Sequence, residues 1–270
     1  MVQVNKGPPR RPSAPTSWEP VARWYAGWSG PTGGHYHREF AIPAVLDLLE
    51  LRSGERVLDI GCGHGVLAPT VSKAGALYTG VDASPTLIRT ARRLQEAHGR
   101  FIVGDARRLD VLPALRGEFF DAAVFLLSIQ DMDPLAAVLR SAAQRLRSGG
   151  RLAIVMTHPC FRVPRQSGWG WDAQRKLPFR RVDRYLTPLA VPMKAYRGPR
   201  PGATRSFHRP LESYINGLAA HGLLIDCLRE FPPPDGSLSP PQPGGEERIN
   251  RDIPLFLGLR ARKPVVPTPP

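Results

Sequence analysis

Nine residues, Val57-Leu58-Asp59-Ile60-Gly61-Cys62-Gly63-His64-Gly65, constrain this chain more than any other stretch of it. An apolar, strand-forming run passes an acid and ends in three glycines at alternate positions. Glycine gives up more conformational freedom on folding than any other residue. Three within five positions therefore mark backbone that bends sharply or lies close against something. A strand that stops in such a turn and restarts as a helix fits a parallel sheet with helices on its faces.

The rest of the chain repeats that rhythm. From His37 to Leu51 the apolar residues Ile42, Val45, Leu46 and Leu49 fall at helical spacing. "GVLAPTVSKAG" predicts the helix behind the glycines, and "ALYTGVD" a second strand. Ser84-Pro85 then supplies an N-cap and a proline at the first position of a helix that ends on Gly99. "RFIVGD" and "FFDAAVFLL" read as strands three and four, "DPLAAVLRSAAQRLRSGG" as a helix, and "RLAIVMT" as strand five. About fifty residues rich in Pro, Arg and aromatics interrupt the pattern. It resumes with a helix, "RPLESYINGLAAHG", and two strands, "LLIDCLREF" and "DIPLFLGLRAR". No helix separates these last two, which predicts an antiparallel pair at one edge of the sheet.

Composition narrows the class. The 270 residues contain no apolar run of about eighteen, so no transmembrane helix is expected. The N-terminus has no apolar h-region of a secretory signal. Residues 1–17 read as a disordered leader and 263–270 as a disordered tail. Between them, 18–262 form a single domain in which 157–209 are an insertion. Cys62, Cys160 and Cys227 are too few and too scattered for a disulfide framework or a zinc site. A reducing cytoplasm and no metal are therefore expected. The net charge of +14 would permit nucleic-acid binding, and it is unevenly spread: Thr157 to Arg209 hold twelve Arg or Lys against Asp172 and Asp183.

Ligands of open parallel sheets bind beyond the carboxyl ends of the strands, and Gly61 to Gly65 lie at the first such end. A helix starting there offers unpaired N–H groups and partial positive charge. Asp82 closes the second strand, where an acid can accept hydrogen bonds from ribose hydroxyls. A dinucleotide and any other adenosine-bearing ligand both fit so far. The spacing Gly-x-Gly-x-Gly, rather than Gly-x-Gly-x-x-Gly, argues against a pyrophosphate turn.

The segment 57–65 resembles the first motif of class I S-adenosylmethionine-dependent methyltransferases, in particular the bacterial small-molecule, type 11-like members. Gly80-Val81-Asp82-Ala83-Ser84 is similar to their second motif and Gly104-Asp105-Ala106 to their third. "FDAAVFLLSIQDM" and "LRSGGRLAIV" resemble the fourth-strand motif and the approach to the fifth strand. Gln130 departs from the His common among small-molecule members. The resemblance implies a doubly wound, seven-stranded Rossmann-like α/β sheet with a terminal antiparallel hairpin and a lid inserted after strand five. It implies S-adenosyl-L-methionine as cofactor. Gly61, Cys62, Gly63 and Gly65 would let the backbone lie against its methionine part, and Asp59 would orient the amino group or the loop. Asp82, with Ala83, would take the ribose hydroxyls. Asp105 would meet the adenine amino group, the Ala106 N–H a ring nitrogen, and Leu126 and Leu127 would wall the pocket.

The insertion is where the methyl acceptor is expected. It leaves strand five at the ligand edge and carries Trp169, Trp171, Phe179, Tyr185, Tyr196 and Phe207 among its arginines. Its "THPCFR…FHRP" frame resembles segments of bacterial methyltransferases. Direct displacement from a sulfonium needs alignment and exclusion of water, and a base only when the nucleophile arrives protonated. His158, one residue past strand five, is the expected base, with His208 and the pair His35 and His37 flanking Tyr36 as the alternatives. Tyr36, Arg162, Trp169, Trp171 and His208 are the expected acceptor contacts, and Trp24, Tyr25 and Trp28 a possible N-terminal wall. Two partner classes remain. A small, aromatic or anionic metabolite methylated on O or N is favoured over an RNA held by the basic, aromatic insertion.

Overall fold

The computed structural model describes residues 18–193, 204–232 and 252–265. Expectations for the leader 1–17, for Tyr196 and for the last residues 266–270 lie outside the described residues.

Arg56–Ile60 form β1, and every side chain after Arg56 is buried. Such burial on both faces is what a central parallel strand requires. Alternation does the sorting. Val57 packs with Val45, Leu48, Leu49, Ile88 and Val124 on one face. Leu58 and Ile60 pack with Phe125, Val138, Leu139 and Leu218 on the other. β1 pairs in parallel with β2 (Leu77–Asp82) on one side and β4 (Phe120–Leu126) on the other. β3 (Arg100–Val103) extends the sheet beyond β2, and β5 (Leu146–Thr157) beyond β4.

The sheet closes as the terminal strands predict. β10 (Leu224–Phe231) and β11 (Phe256–Arg262) pair antiparallel, and β11 also lies antiparallel to β5. The order is β10-β11-β5-β4-β1-β2-β3. From β1 the chain winds outward one way through β2 and β3, and from β4 the other way through β5. The crevice between β1 and β4 is thus the topological switch point, where ligands of such sheets bind.

Among the described residues, six α-helices accompany the sheet: α1 (Ala22–Ser29), α2 (Ile42–Leu49), α3 (Ala68–Lys73), α4 (Pro85–Gln95), α5 (Leu135–Arg145) and α6 (Leu211–Ala219). Ser84 caps α4 as its sequence predicts, its Oγ accepting the Leu87 N–H at 3.1 Å. Two helices are shorter than their patterns. The one expected from His37 opens with a π-turn, His37–Ala41, and stops where Glu50 turns left-handed. The helix behind the glycines starts only at Ala68, because the positive φ angles of Gly61, Gly63 and Gly65 hold the preceding residues in a turn.

The insertion is not one continuous cover. Its described residues form two hairpin pairings, β6 (Ser167–Asp172) with β7 (Leu177–Val182) and β8 (Leu189–Pro192) with β9 (Arg205–His208). Among the described residues, no helix is long and apolar enough to cross a membrane.

Candidate active site

A cavity of about 500 Å³ opens at the switch point. Asp59, Gly61, Cys62 and Gly63 form its floor, and Asp82, Ala83, Asp105 and Ala106 line it from the ends of β2 and β3. Leu126, Leu127 and Ser128 line it from the end of β4. Trp18, Tyr25 and His37 close the N-terminal side, and Arg205 and Phe207 of β9 face it from the insertion.

The glycines are required for different reasons. Gly61 and Cys62 donate their N–H groups to Val81 O at 2.8 and 3.1 Å, which pins the turn to β2. Gly61 has φ +76°, and a Cβ there would sit 2.6 Å from Met132 Cε and 2.8 Å from Ser128 Cβ. A Cβ on Gly63 would meet only Tyr25, at 3.9 Å, so this glycine keeps space open inside the cavity. Gly65 serves packing instead: its Cβ would lie 2.6 Å from the Phe101 ring, and it does not line the cavity.

The acids divide in the same way. Asp59 is buried, and its Oδ2 accepts the Tyr78 hydroxyl at 2.7 Å while Oδ1 has no partner. Burial pushes this carboxyl up to about 7, against the Tyr78 hydrogen bond and with help from the nearby Asp82 charge. Asp82 accepts Gly63 N–H at 3.0 Å and Ser84 N–H at 2.8 Å, so it shapes both the glycine turn and the start of α4. Burial raises its pKa, and those two bonds oppose the rise. Asp105 caps the turn that follows β3 through Arg107 N–H at 2.9 Å, and also holds the Arg107 guanidinium at 2.6 Å. Asp105 therefore caps a turn and also lines the cavity wall.

His64 stands between Gly63 and Gly65 of the glycine motif. It is buried, and its Nε2 donates to Gly30 O at 2.8 Å, since a carbonyl can only accept. Burial lowers its pKa, so the ring is neutral and Nδ1 is a bare acceptor; that atom has no partner. Asp59 Oδ1 and His64 Nδ1 are thus two buried acceptors on one cavity wall with no donor. His37, on the same wall, is pushed down to about 4 by burial and by His64 and Arg38.

The expected acceptor contacts fall elsewhere. His158 is buried with both ring nitrogens engaged, Nε2 with Glu230 at 2.8 Å and Nδ1 accepting Cys160 N–H at 3.1 Å. It does not line the cavity. Arg162 lies over the Phe256 ring, and Tyr36 packs against Phe256 as well. His208 holds Tyr185 O at 2.6 Å. Trp169 carries Arg180 on its face, and Trp171 is 46% exposed. None of these six residues lines the cavity. Of the aromatics near the N-terminus, Tyr25 does, whereas Trp24 and Trp28 stack on each other.

Trp18, Arg107, Asp131 and Arg205 also line the cavity, although no sequence motif marks them. Asp131 had one legible signal, an acid in the turn just past a strand end. The others are brought in by contacts between segments far apart in the chain.

Residues 58–154 match the Methyltransf_11 family of methyltransferase domains. A ubiquinone biosynthesis O-methyltransferase of Xylella fastidiosa is 32% identical over 136 residues, which are 49% of this chain and 55% of that protein. A demethylmenaquinone methyltransferase of Tropheryma whipplei is 33% identical over 121 residues, 43% of this chain and 48% of that protein. The chain spans about half the length of the curated relatives it matches. The crystal structure of an S-adenosylmethionine-dependent methyltransferase from Mesorhizobium loti superposes with a TM-score of 0.63 at 26% identity, covering 86% of this chain and all of that one. Sheet order, switch-point cavity and these likenesses define a class I S-adenosylmethionine-dependent methyltransferase fold. Within that class, residues 58–154 are similar to the Methyltransf_11 domains, and S-adenosylmethionine is the cofactor that goes with them.

The residues present fit that molecule. Its methionine end carries an ammonium, a triple donor, and Asp59 Oδ1 and His64 Nδ1 are two acceptors lacking donors. Gly63 leaves room against the backbone, and Asp82 retains lone pairs for ribose hydroxyls. Asp105 and Ala106 line the cavity at the next strand end.

Proposed function

We propose that this protein transfers a methyl group from S-adenosylmethionine, by direct displacement, to an oxygen or nitrogen of a small aromatic or anionic metabolite. The observation that carries the reading is the switch-point cavity lined by Asp59, Gly61, Gly63, Asp82 and Asp105, with two buried acceptors without donors among its lining residues, Asp59 Oδ1 and His64 Nδ1. The bound cofactor supplies an electrophilic methyl on a positively charged sulfur. This chain's residues hold the donor, exclude water and present the acceptor. Within a lining of mixed polarity, Leu126, Leu127 and the aromatic rings of Trp18, Tyr25 and Phe207 give apolar surface against which a flat acceptor can pack. Arg205 on the same lining suits an anionic substituent. The relatives named for quinone biosynthesis support an aromatic acceptor.

Within this reading, β9 of the insertion covers the acceptor end and 18–262 act as one domain. All three cysteines are free, which fits a reducing compartment such as the cytoplasm. Calorimetry should show micromolar binding of S-adenosylmethionine and of its demethylated product. Binding of a nicotinamide dinucleotide in their place would overturn the reading.

One observation favours a second reading, RNA as acceptor. The β6–β7 hairpin exposes Trp171 and Phe179 beside Arg175 and Arg181. Phosphate contacts release counterions, so RNA affinity would fall steeply with salt. A tRNA and rRNA binding series is expected to show nothing tighter than micromolar at physiological salt. Tight, structure-specific binding at about 0.15 M salt would transfer the case to RNA.

A further inference from the structure

The cavity has two ends, and the donor residues Asp59, Gly63 and Asp82 account for one. At the other stands Asp131, in the Ile129–Asp131 turn just past β4. Ile129 is sunk in the core, and Ser128 Oγ donates to Ile60 O at 2.8 Å, so the turn is fixed against the end of β1. The Asp131 carboxylate opens onto the cavity together with Met132, Trp18 and Phe207. Trp18 Nε1 donates to its Oδ2 at 3.1 Å, and the Ser206 side chain of β9 donates as well.

We propose that Asp131 is the general base of the methyl transfer, and that the acceptor is an aromatic compound presenting a neutral hydroxyl. The proposal rests on the methyltransferase reading above. Three features carry it. Asp131 shares its part of the wall with aromatic and thioether side chains that would hold a flat ring. Its two donors come from separate segments, Trp18 near the N-terminus and Ser206 of β9, which fixes the carboxylate rather than leaving it to rotate. Burial pushes its pKa up to about 7, opposed by the Trp18 and Ser206 bonds, where a base works best near neutral pH. His158, the base expected from sequence, has no ring nitrogen left for this task.

The charged and titratable neighbours are few. Arg205 of β9 lines the same cavity. Tyr214 of α6 is raised by burial and feels the Asp131 charge. Arg209 lowers Tyr214 in turn and is occupied by Met132 O at 2.7 Å and Asp133 at 2.8 Å. Asp59, Asp82 and the Asp105–Arg107 pair line the donor side.

The step balances simply. A lone pair of the acceptor oxygen forms the new O–CH3 bond. The pair of the breaking C–S bond stays on sulfur, which passes from sulfonium to neutral thioether. The hydroxyl proton goes to Asp131, which becomes a carboxylic acid and later loses that proton to water.

The test uses the full chain loaded with S-adenosylhomocysteine, and catechol as the probe. Calorimetry across pH should show catechol affinity rising from about pH 6 to about pH 8 as Asp131 ionises. In Asp131→Asn the curve should be flat and the affinity at about pH 8 at least tenfold weaker, because a charge-assisted hydrogen bond is gone. S-adenosylhomocysteine affinity should stay within about twofold of wild type. Carboxyl NMR of the wild-type protein gives a readout that needs no variant: Asp131 should titrate near 7. Titration in the ordinary carboxylate range, pH-independent catechol binding, or no catechol binding by a protein that binds S-adenosylhomocysteine would each overturn the proposal. Wild type that binds no S-adenosyl compound would instead remove the methyltransferase reading beneath it.

Discussion

The two halves of the cavity are built by opposite strategies. The donor half is local: Asp59, Gly61 and Gly63 come from one strand and its turn, and Asp82 and Asp105 from the next two strand ends. The acceptor half is assembled at long range. Trp18, Asp131 and Arg205 lie more than seventy residues apart along the chain, yet share one wall. The donor half therefore depends on backbone geometry, and the acceptor half on which side chains meet once the sheet has formed.

That contrast can be broken most directly at Gly61. Gly61→Val imposes a side chain at φ +76° and drives it into Met132 and Ser128. Strain and overpacking together should cost about 2–4 kcal/mol of stability in urea unfolding. A near-neutral effect would mean that the turn adapts and is not a rigid determinant.

Asp59→Asn is next, with an effect that depends on pH. The folded pKa, near 7, lies above the unfolded one. As pH rises from about 4 to about 7 the unfolded chain releases the proton while the folded chain keeps it, so wild-type stability falls across that window and levels off above it. Asparagine cannot ionise and still accepts from Tyr78. The variant should gain on ligand-free wild type by about 2 kcal/mol or more between pH 4.5 and pH 8, measured by urea unfolding. A constant difference across pH would contradict the assignment.

Asp82→Ala sharpens the donor half further. It removes the acceptor for Gly63 and Ser84 N–H and a place for ribose hydroxyls. S-adenosylhomocysteine affinity should fall at least tenfold, about 1.4 kcal/mol, by calorimetry. The smallest effect belongs to the exposed hairpin: Trp171→Ala should change neither that affinity nor stability by more than about 0.5 kcal/mol. A larger loss of binding would return the β6–β7 hairpin to the cavity.

What could be read from the sequence follows the same division. Strand-turn-helix periodicity and the glycine spacing encode the sheet and the donor half within short windows. The antiparallel edge was legible because no helix separates "LLIDCLREF" from "DIPLFLGLRAR". The insertion was not legible in that way. Its conspicuous tryptophans suggested contact with the ligand, but Trp169 is packed with Arg180 and Trp171 points outward, while the less conspicuous Arg205 and Phe207 reach the cavity. His158 misled for a related reason. Its position past β5 is fixed by the sheet, but the direction of its ring is set by Glu230 on β10, seventy-two residues away.

Trp18 and Glu19 are neighbours in the chain and hold opposite walls. Trp18 reaches Asp131, while Glu19 accepts from the Ser84 hydroxyl and from Thr86 Oγ1 at 2.6 Å, at the head of α4. One short turn is thus a staple across the mouth of the cavity, fastened by side chains rather than by the sheet ladder. Its release would free both walls together and leave the seven strands undisturbed. Local opening of this turn is expected to show in hydrogen exchange at Trp18 to Val21 well before the strands exchange.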